Sequence, residues 1–316
     1  MPARLLAPVA VAAVLAVPGA PGPAQAGPAP AAPVPAAATR ATPAAVEVPA
    51  RPSGGALVGP AVTVAAGAFP AGQRFVSAAV SARHSAGSSR RATMLSVELT
   101  CGGQSVQATT NVVTSAVLTP RRVMRDARAC TVVARSAVND ATPADGLRVT
   151  ATLTSAPASW GAVGYSPAGH PRLLRPGARR QVVPVTATVP PGIRTVRVTG
   201  DVKVTTCTSV GGSRENGSPP RCAAHRVDAA GTRVRVSLVV RQGSTTGGHC
   251  AVRTVASHTV HVAKRVHHAM VSPAGTFTLS AAPGCGRVVR AQVHVRVLGG
   301  ADLVIHRKGT ITSLYR

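Results

Sequence analysis

What most constrains this chain is a two-residue alternation of apolar and polar side chains. In Arg233-Val234-Arg235-Val236-Ser237-Leu238, the valines and leucine share one parity while the arginines and serine share the other. Gln292-Val293-His294-Val295-Arg296-Val297 repeats the pattern. Successive side chains of a strand point to opposite faces, so each run has one dry face and one wet face. That arrangement belongs to antiparallel sheets, because strands of a buried parallel sheet are apolar on both faces. No stretch keeps the 3.6-residue period of an amphipathic helix.

Runs of this kind lie at 61–64, 74–82, 93–100, 104–118, 129–138 and 147–153, rich in Val and Thr and separated by Gly, Pro, Ser, Asn or Asp. After Pro157, Pro167, Pro171 and Pro176 the pattern resumes at Gln181 and continues through 193–206, 232–240, 250–262, 276–279, 288–297 and 303–314. Six or seven strands per hundred-odd residues, twice over, is the count of two β-sandwiches. The expected organisation is a first sandwich over 54–156, a linker over 157–180 and a second sandwich over 181–316. Aromatic residues make up only 2% of the chain, so the cores fall to Val, Ala, Leu and Thr.

The first 26 residues read as an export signal. Arg4 precedes an apolar run from Leu5 to Val17, and Ala24-Gln25-Ala26 forms a small-residue cleavage site. The run is too short to cross about 30 Å of hydrocarbon as a permanent anchor. Residues 27–53 carry seven prolines among many alanines without an apolar period, which predicts a disordered or polyproline-II stalk. The expected location is extracellular, in soluble form or associated with the cell wall by non-covalent contacts.

Six cysteines in an exported chain are better read as disulfides than as metal ligands or a nucleophile. Cys101 shares the inward parity of Leu95, Val97 and Leu99, and Cys130 heads the next strand but one, which pairs the two. Cys250 shares parity with Val252, Val260 and Val262, and Cys285 with Val289, Val293 and Val295, which suggests a second pair. Cys207 and Cys222 remain, flanking a turn-rich excursion that a local bridge would staple; four cysteines in the second domain allow three pairings. The matching order of strands and cysteines suggests that the domains are divergent copies.

With its signal peptide, composition, strand pattern and cysteine placement, the chain resembles secreted actinobacterial immunoglobulin-like or fibronectin-like β-sandwich proteins. The only tryptophan, Trp160, lies outside the first cysteine pair, so the Cys-Trp-Cys arrangement of true immunoglobulin domains is absent.

Catalytic chemistry finds few residues. The nine acids mostly sit beside turns, and the one loop with two of them, Asp140 and Asp145, offers fewer hard oxygens than calcium usually gathers. The closest approach to a nucleophile elbow, Gly164-Tyr165-Ser166-Pro167-Ala168, fails at its last position. No phosphate loop or dinucleotide fingerprint appears, and no cofactor is expected. Histidine is enriched: His225, His249, His258, His261, His267, His268, His294 and His306 all fall in the second domain. They motivate the alternative reading of a metal-binding protein or metal-dependent enzyme. Strand alternation argues against it, since His258 and His261 point to opposite faces.

Charge is the remaining lead. The chain carries 35 Lys+Arg against 9 Asp+Glu, a formal +26. Residues 57–160 contribute 10 basic and 4 acidic residues, residues 181–316 contribute 18 and 4, so the second domain is the basic one. By alternation Arg197, Lys203, Arg233, Arg235, Arg241, Arg290 and Arg296 point outward and could build one basic sheet face. Extracellular anionic polymers, such as cell-wall teichoic acid, acidic polysaccharide or released nucleic acid, are its physically suitable partners. A solvated face that only aids solubility is the competing reading. The expectation is a secreted, non-catalytic binding or structural protein.

Overall fold

Val and Thr at alternating positions, broken every eight to twelve residues by Gly, Pro or Asn, leave the backbone no better partner than a neighbouring strand. The computed structural model describes residues 44–49, 59–85, 93–137, 146–165, 171–206, 231–263 and 266–316. The export signal, most of the proline-rich segment, the Asp140/Asp145 loop and the Cys207–Cys222 excursion lie outside the described residues. Among those described there are strands and turns and no helix, so none is long and apolar enough to cross a membrane.

The first set of strands is β1 (Val46–Val48), β2 (Val62–Ala68), β3 (Arg74–His84), β4 (Thr93–Cys101), β5 (Gln104–Val112), β6 (Ser115–Leu118), β7 (Arg121–Met124), β8 (Ala129–Ala137) and β9 (Leu147–Pro157). The second is β10 (Gly161–Tyr165), β11 (Arg172–Leu174), β12 (Arg179–Thr188), β13 (Thr195–Thr206), β14 (Thr232–Ser244), β15 (His249–Val262), β16 (His268–Val271), β17 (Ala274–Thr278), β18 (Cys285–Gly300) and β19 (Leu303–Tyr315). β1 falls inside the segment expected to be disordered, where it pairs with β9. β10 and β11 fall inside the expected linker, where both pair with β19. The 157–180 stretch thus supplies the first strands of the second sandwich.

All pairings are antiparallel, and the strand order recurs. The first sandwich stacks β1-β9-β3-β6, with β7 also on β3, over β2-β8-β4-β5. The second stacks β10-β19-β13-β16, with β11 on β19 and β17 on β13, over β12-β18-β14-β15. In the first, β1 pairs with β9, β2 with β8, and β4 and β5 form the innermost hairpin; in the second, β10 and β11 both pair with β19, β12 with β18, and β14 and β15 form the hairpin. This is one long hairpin folded over on itself, the order of a jelly roll. Immunoglobulin order, with the first strand beside the second, is not adopted. The repeated order supports the reading of two divergent copies.

Each sandwich has its own core between its sheets. Leu95, Val97, Leu99, Val106, Val132 and Leu147 are fully buried in the first, and Val234, Val236, Leu238, Val293, Val295 and Leu303 in the second. Cys101 and Cys130, 0% and 1% exposed, face each other across neighbouring strands and are bridged inside the first core. Cys250 and Cys285 are also bridged, but at the rim rather than inside: Cys250 is exposed and Cys285 half-buried. Both lie near the ends of their strands, where the sheet runs past its core and parity no longer implies burial.

The outer face of the β19-β13 sheet is covered by the first sandwich. Ile311 packs into the first core, and the Tyr315 ring stacks on Phe75 with centroids 4.2 Å apart. Arg121 donates from Nε to both oxygens of the fully buried Asp201, at 3.1 and 3.3 Å, and from Nη2 to the carbonyls of Ser272 and Pro273. The His268 amide donates to Asn111 Oδ1 at 2.6 Å. Gly309, at φ 83°, brings its backbone so close to β5 that a Cβ would lie 2.7 Å from the Gln107 carbonyl. This seam is mixed, an apolar plug and a ring stack beside polar groups that have partners across it.

Candidate functional site

The seam decides which of the predicted cations belong to one surface. Arg197 and Lys203 are on β13, in the sheet whose outer face is the seam. Lys203 is only 3% exposed, and Arg197 stands beside Tyr315. Alternation assigned both to an outward face correctly, but that face belongs to the other sheet, where Lys203 is covered and Arg197 stays exposed. Neither joins the remaining five, which is a correction to the expected surface.

Those five are brought together. In the β12-β18-β14-β15 sheet Arg296 on β18 is registered with Arg235 on β14 and with Arg179 on β12, so three arginines are anchored abreast on neighbouring strands about 4.8 Å apart. Arg179 falls inside the expected linker over 157–180; the alternation Arg179-Gln181 ahead of buried Val182 is its sequence signal. Six residues along β18, Arg290 is registered with Arg241. The two ranks are separated by about 20 Å at the rise of an extended chain. Arg233 lies past the first rank, opposite His261. The four strands together hold nine arginines and not one Asp or Glu.

Between the ranks lies a buried patch of outward-pointing side chains, the inset. His294 is registered with Ser237 and Gln181, and Gln292 with Val239. Although these positions point away from the core, His294 is 4% exposed, Gln292 1% and Val239 7%. Arg179 Nη2 donates to His294 Nδ1. A guanidinium can only donate, so Nδ1 is the acceptor and the neutral ring carries its proton on Nε2. Burial, helped by the nearby Arg179 and Arg241 charges, pushes the His294 pKa down to about 4. The ring is therefore neutral at pH 7.

Among the described residues the other histidines do not gather into a metal centre. His268 and His306 are both buried and share the Thr205 hydroxyl, at 2.7 Å from His268 Nδ1 and 2.6 Å from His306 Nε2. Burial first, then the His267, Lys203 and His306 charges, drive the His268 pKa well below its ordinary value. His249, His258 and His261 are exposed along β15. Among the described residues no three His, Cys, Asp or Glu side chains converge in a way that could hold a metal ion.

No protein-family model matches the chain, and neither does any curated protein sequence. Among solved structures it is similar to the N-terminal CBM22-1-CBM22-2 tandem domain from Paenibacillus barcinonensis Xyn10C, at 12% identity and TM-score 0.25, covering 81% of this chain and 82% of that one. It is also similar to the infectious bursal disease virus VP2 subviral particle, at 7% identity and TM-score 0.27, covering 78% of this chain and 62% of that one. Tripeptidyl peptidase 2 follows at 9% identity and TM-score 0.22, with 86% of this chain on 22% of that one. At these scores function rests on the residues themselves.

Proposed function

We propose that this chain is an exported, non-catalytic binding protein that holds anionic polymers on the outer face of β12-β18-β14-β15. The observation that carries the reading is the outer face of that one sheet: six of its nine arginines, no carboxylate, and ranks of arginines in register. Like charges side by side repel, and such a face is stabilised when an anion lies on it. Ranks about 20 Å apart favour an extended polymer over a small anion, since only a chain of that length engages both. Export is supported by the sequence of the first 26 residues and by the two disulfides.

Binding of this kind is driven mainly by release of counterions, so affinity should fall log-linearly with salt and differ little among polymers of similar charge density. The test is a salt series with purified teichoic acid, an acidic polysaccharide and duplex DNA. Arg235→Glu with Arg296→Glu should weaken binding by well over tenfold. Arg83→Glu with Arg135→Glu, an equal change of charge on exposed positions of the first sandwich, should weaken it far less. Equal, weak binding by all three proteins would reduce the charge to a solvated surface.

A further inference from the structure

The inset between the arginine ranks contains polar atoms that the sheet itself leaves unused. His294 Nε2, Gln292 Nε2 and Arg241 Nε are each buried and make no hydrogen bond. All three are N–H donors: the imidazole because Arg179 fixes its tautomer, the amide and guanidinium by their chemistry. They are neighbours on one face. His294 and Gln292 are two apart on β18, Arg241 is diagonal to Gln292 on β14, and Arg241 lies near enough to His294 to bear on its charge. Arg179 closes the side toward β12.

A buried donor without an acceptor costs free energy, and three together on a face free of carboxylates are not needed by the fold. What satisfies them is a group that offers acceptors only, carries negative charge, and has more than two oxygens to share. We infer that the inset is a seat for one tetrahedral oxyanion, a phosphate or sulfate ester, gripped by His294, Gln292, Arg241 and Arg179. The inference rests on the anion-binding reading above and adds to it a specific subsite, so that the face holds one ester by directed hydrogen bonds while the ranks hold the rest of the polymer by charge.

The test uses the full chain and follows the His294 ring nitrogens by NMR while dimethyl phosphate, methyl sulfate or acetate is added, each carrying one negative charge. An oxyanion accepting from Nε2–H and lying beside the ring favours the imidazolium, so the His294 pKa should rise by one unit or more at saturation with either ester. Dimethyl phosphate against methyl sulfate separates a phosphodiester source from a sulfate one, and binding of either supports the seat. Arg241→Lys keeps the charge but removes the Nε donor. It should weaken ester binding at least fivefold and leave the salt slope for a long polyphosphate unchanged. If polyphosphate binds while the esters leave His294 unmoved, or if acetate matches them, the seat is overturned and the wider reading stands. If polyphosphate does not bind at low salt, both fall.

Discussion

The same four-stranded sheet occurs twice in this molecule, as β2-β8-β4-β5 and as β12-β18-β14-β15, and the two copies agree on one face and disagree on the other. Inward, both are Val, Leu and Ala. Outward, the first carries Ser96, Glu98, Thr100, Gln107, Thr109, Thr131 and Arg135, a mixed face with one acid and one base on which Ser96 and Thr109 are buried. The second carries Arg179, Arg233, Arg235, Arg241, Arg290 and Arg296 around His294 and Gln292. Burial of the inward parity drives both sheets to the same order, whereas the outward parity is left for other uses. Net charge of the second domain is thus concentrated where the fold does not need it. The disulfides follow the same logic: each ties the β4-β5 hairpin or its β14-β15 counterpart to the next-to-last strand of its sandwich, one bridge inside its core and the other at the rim.

The largest effect should come from breaking the seam that makes the copies inequivalent. Asp201→Ala leaves Arg121 without its carboxylate in a mostly buried site, and such losses cost about 3–5 kcal/mol. Calorimetry should show a lowered melting temperature and the sandwiches beginning to unfold separately. An unchanged single transition would mean that the two cores, not this ion pair, couple them.

Next come the bridges. Their loops of 29 and 35 positions are each worth about 3–4 kcal/mol in the chain-entropy model and differ by only about 0.2 kcal/mol. Replacing Cys101 and Cys130 by Ala should nevertheless cost more than replacing Cys250 and Cys285, because only the first pair also gives up core contacts. Under native conditions a reductant should open the rim bridge first, as read by timed alkylation and peptide mapping.

The His294 inset should make stability depend on pH in a way the first sheet does not. The folded ring has a pKa of about 4, below the ordinary 6.5, so the unfolded chain binds a proton that the folded chain refuses. This contribution is present in full above pH 6.5 and is lost as pH falls through 4. His294→Gln should flatten that part of the curve in denaturant titrations at pH 7 and pH 4.5, and an identical slope in both proteins would remove His294 from the account.

The smallest effect tests whether outward positions are free. Glu98→Arg with Thr131→Arg should change stability by no more than about 0.5 kcal/mol per substitution. The first sheet should then gain salt-sensitive affinity for polyphosphate, and a misfolded product would show that its surface is needed by the fold.

Alternation made the strands, the two sandwiches and the two described cysteine pairs legible, because a valine at every second position is unambiguous about which way it points. It placed five of the seven proposed cations on a common face. It misplaced Lys203 and Arg197, missed Arg179, and took β10 and β11 for linker, since a three- to five-residue strand pairing with β19 carries no period of its own. The donor inset was visible only as an outward histidine.

What the sequence by itself determined is local: strand period, apolar parity, charge count and the chemistry it lacks. Which strands neighbour one another, which outward face the other sandwich covers, and which donors are left without acceptors were decided by tertiary structure. The physical reason is that alternation specifies a direction perpendicular to a strand and says nothing of what lies there. Arg233 and Lys203 read alike in sequence, yet one meets solvent and the other meets the first sandwich.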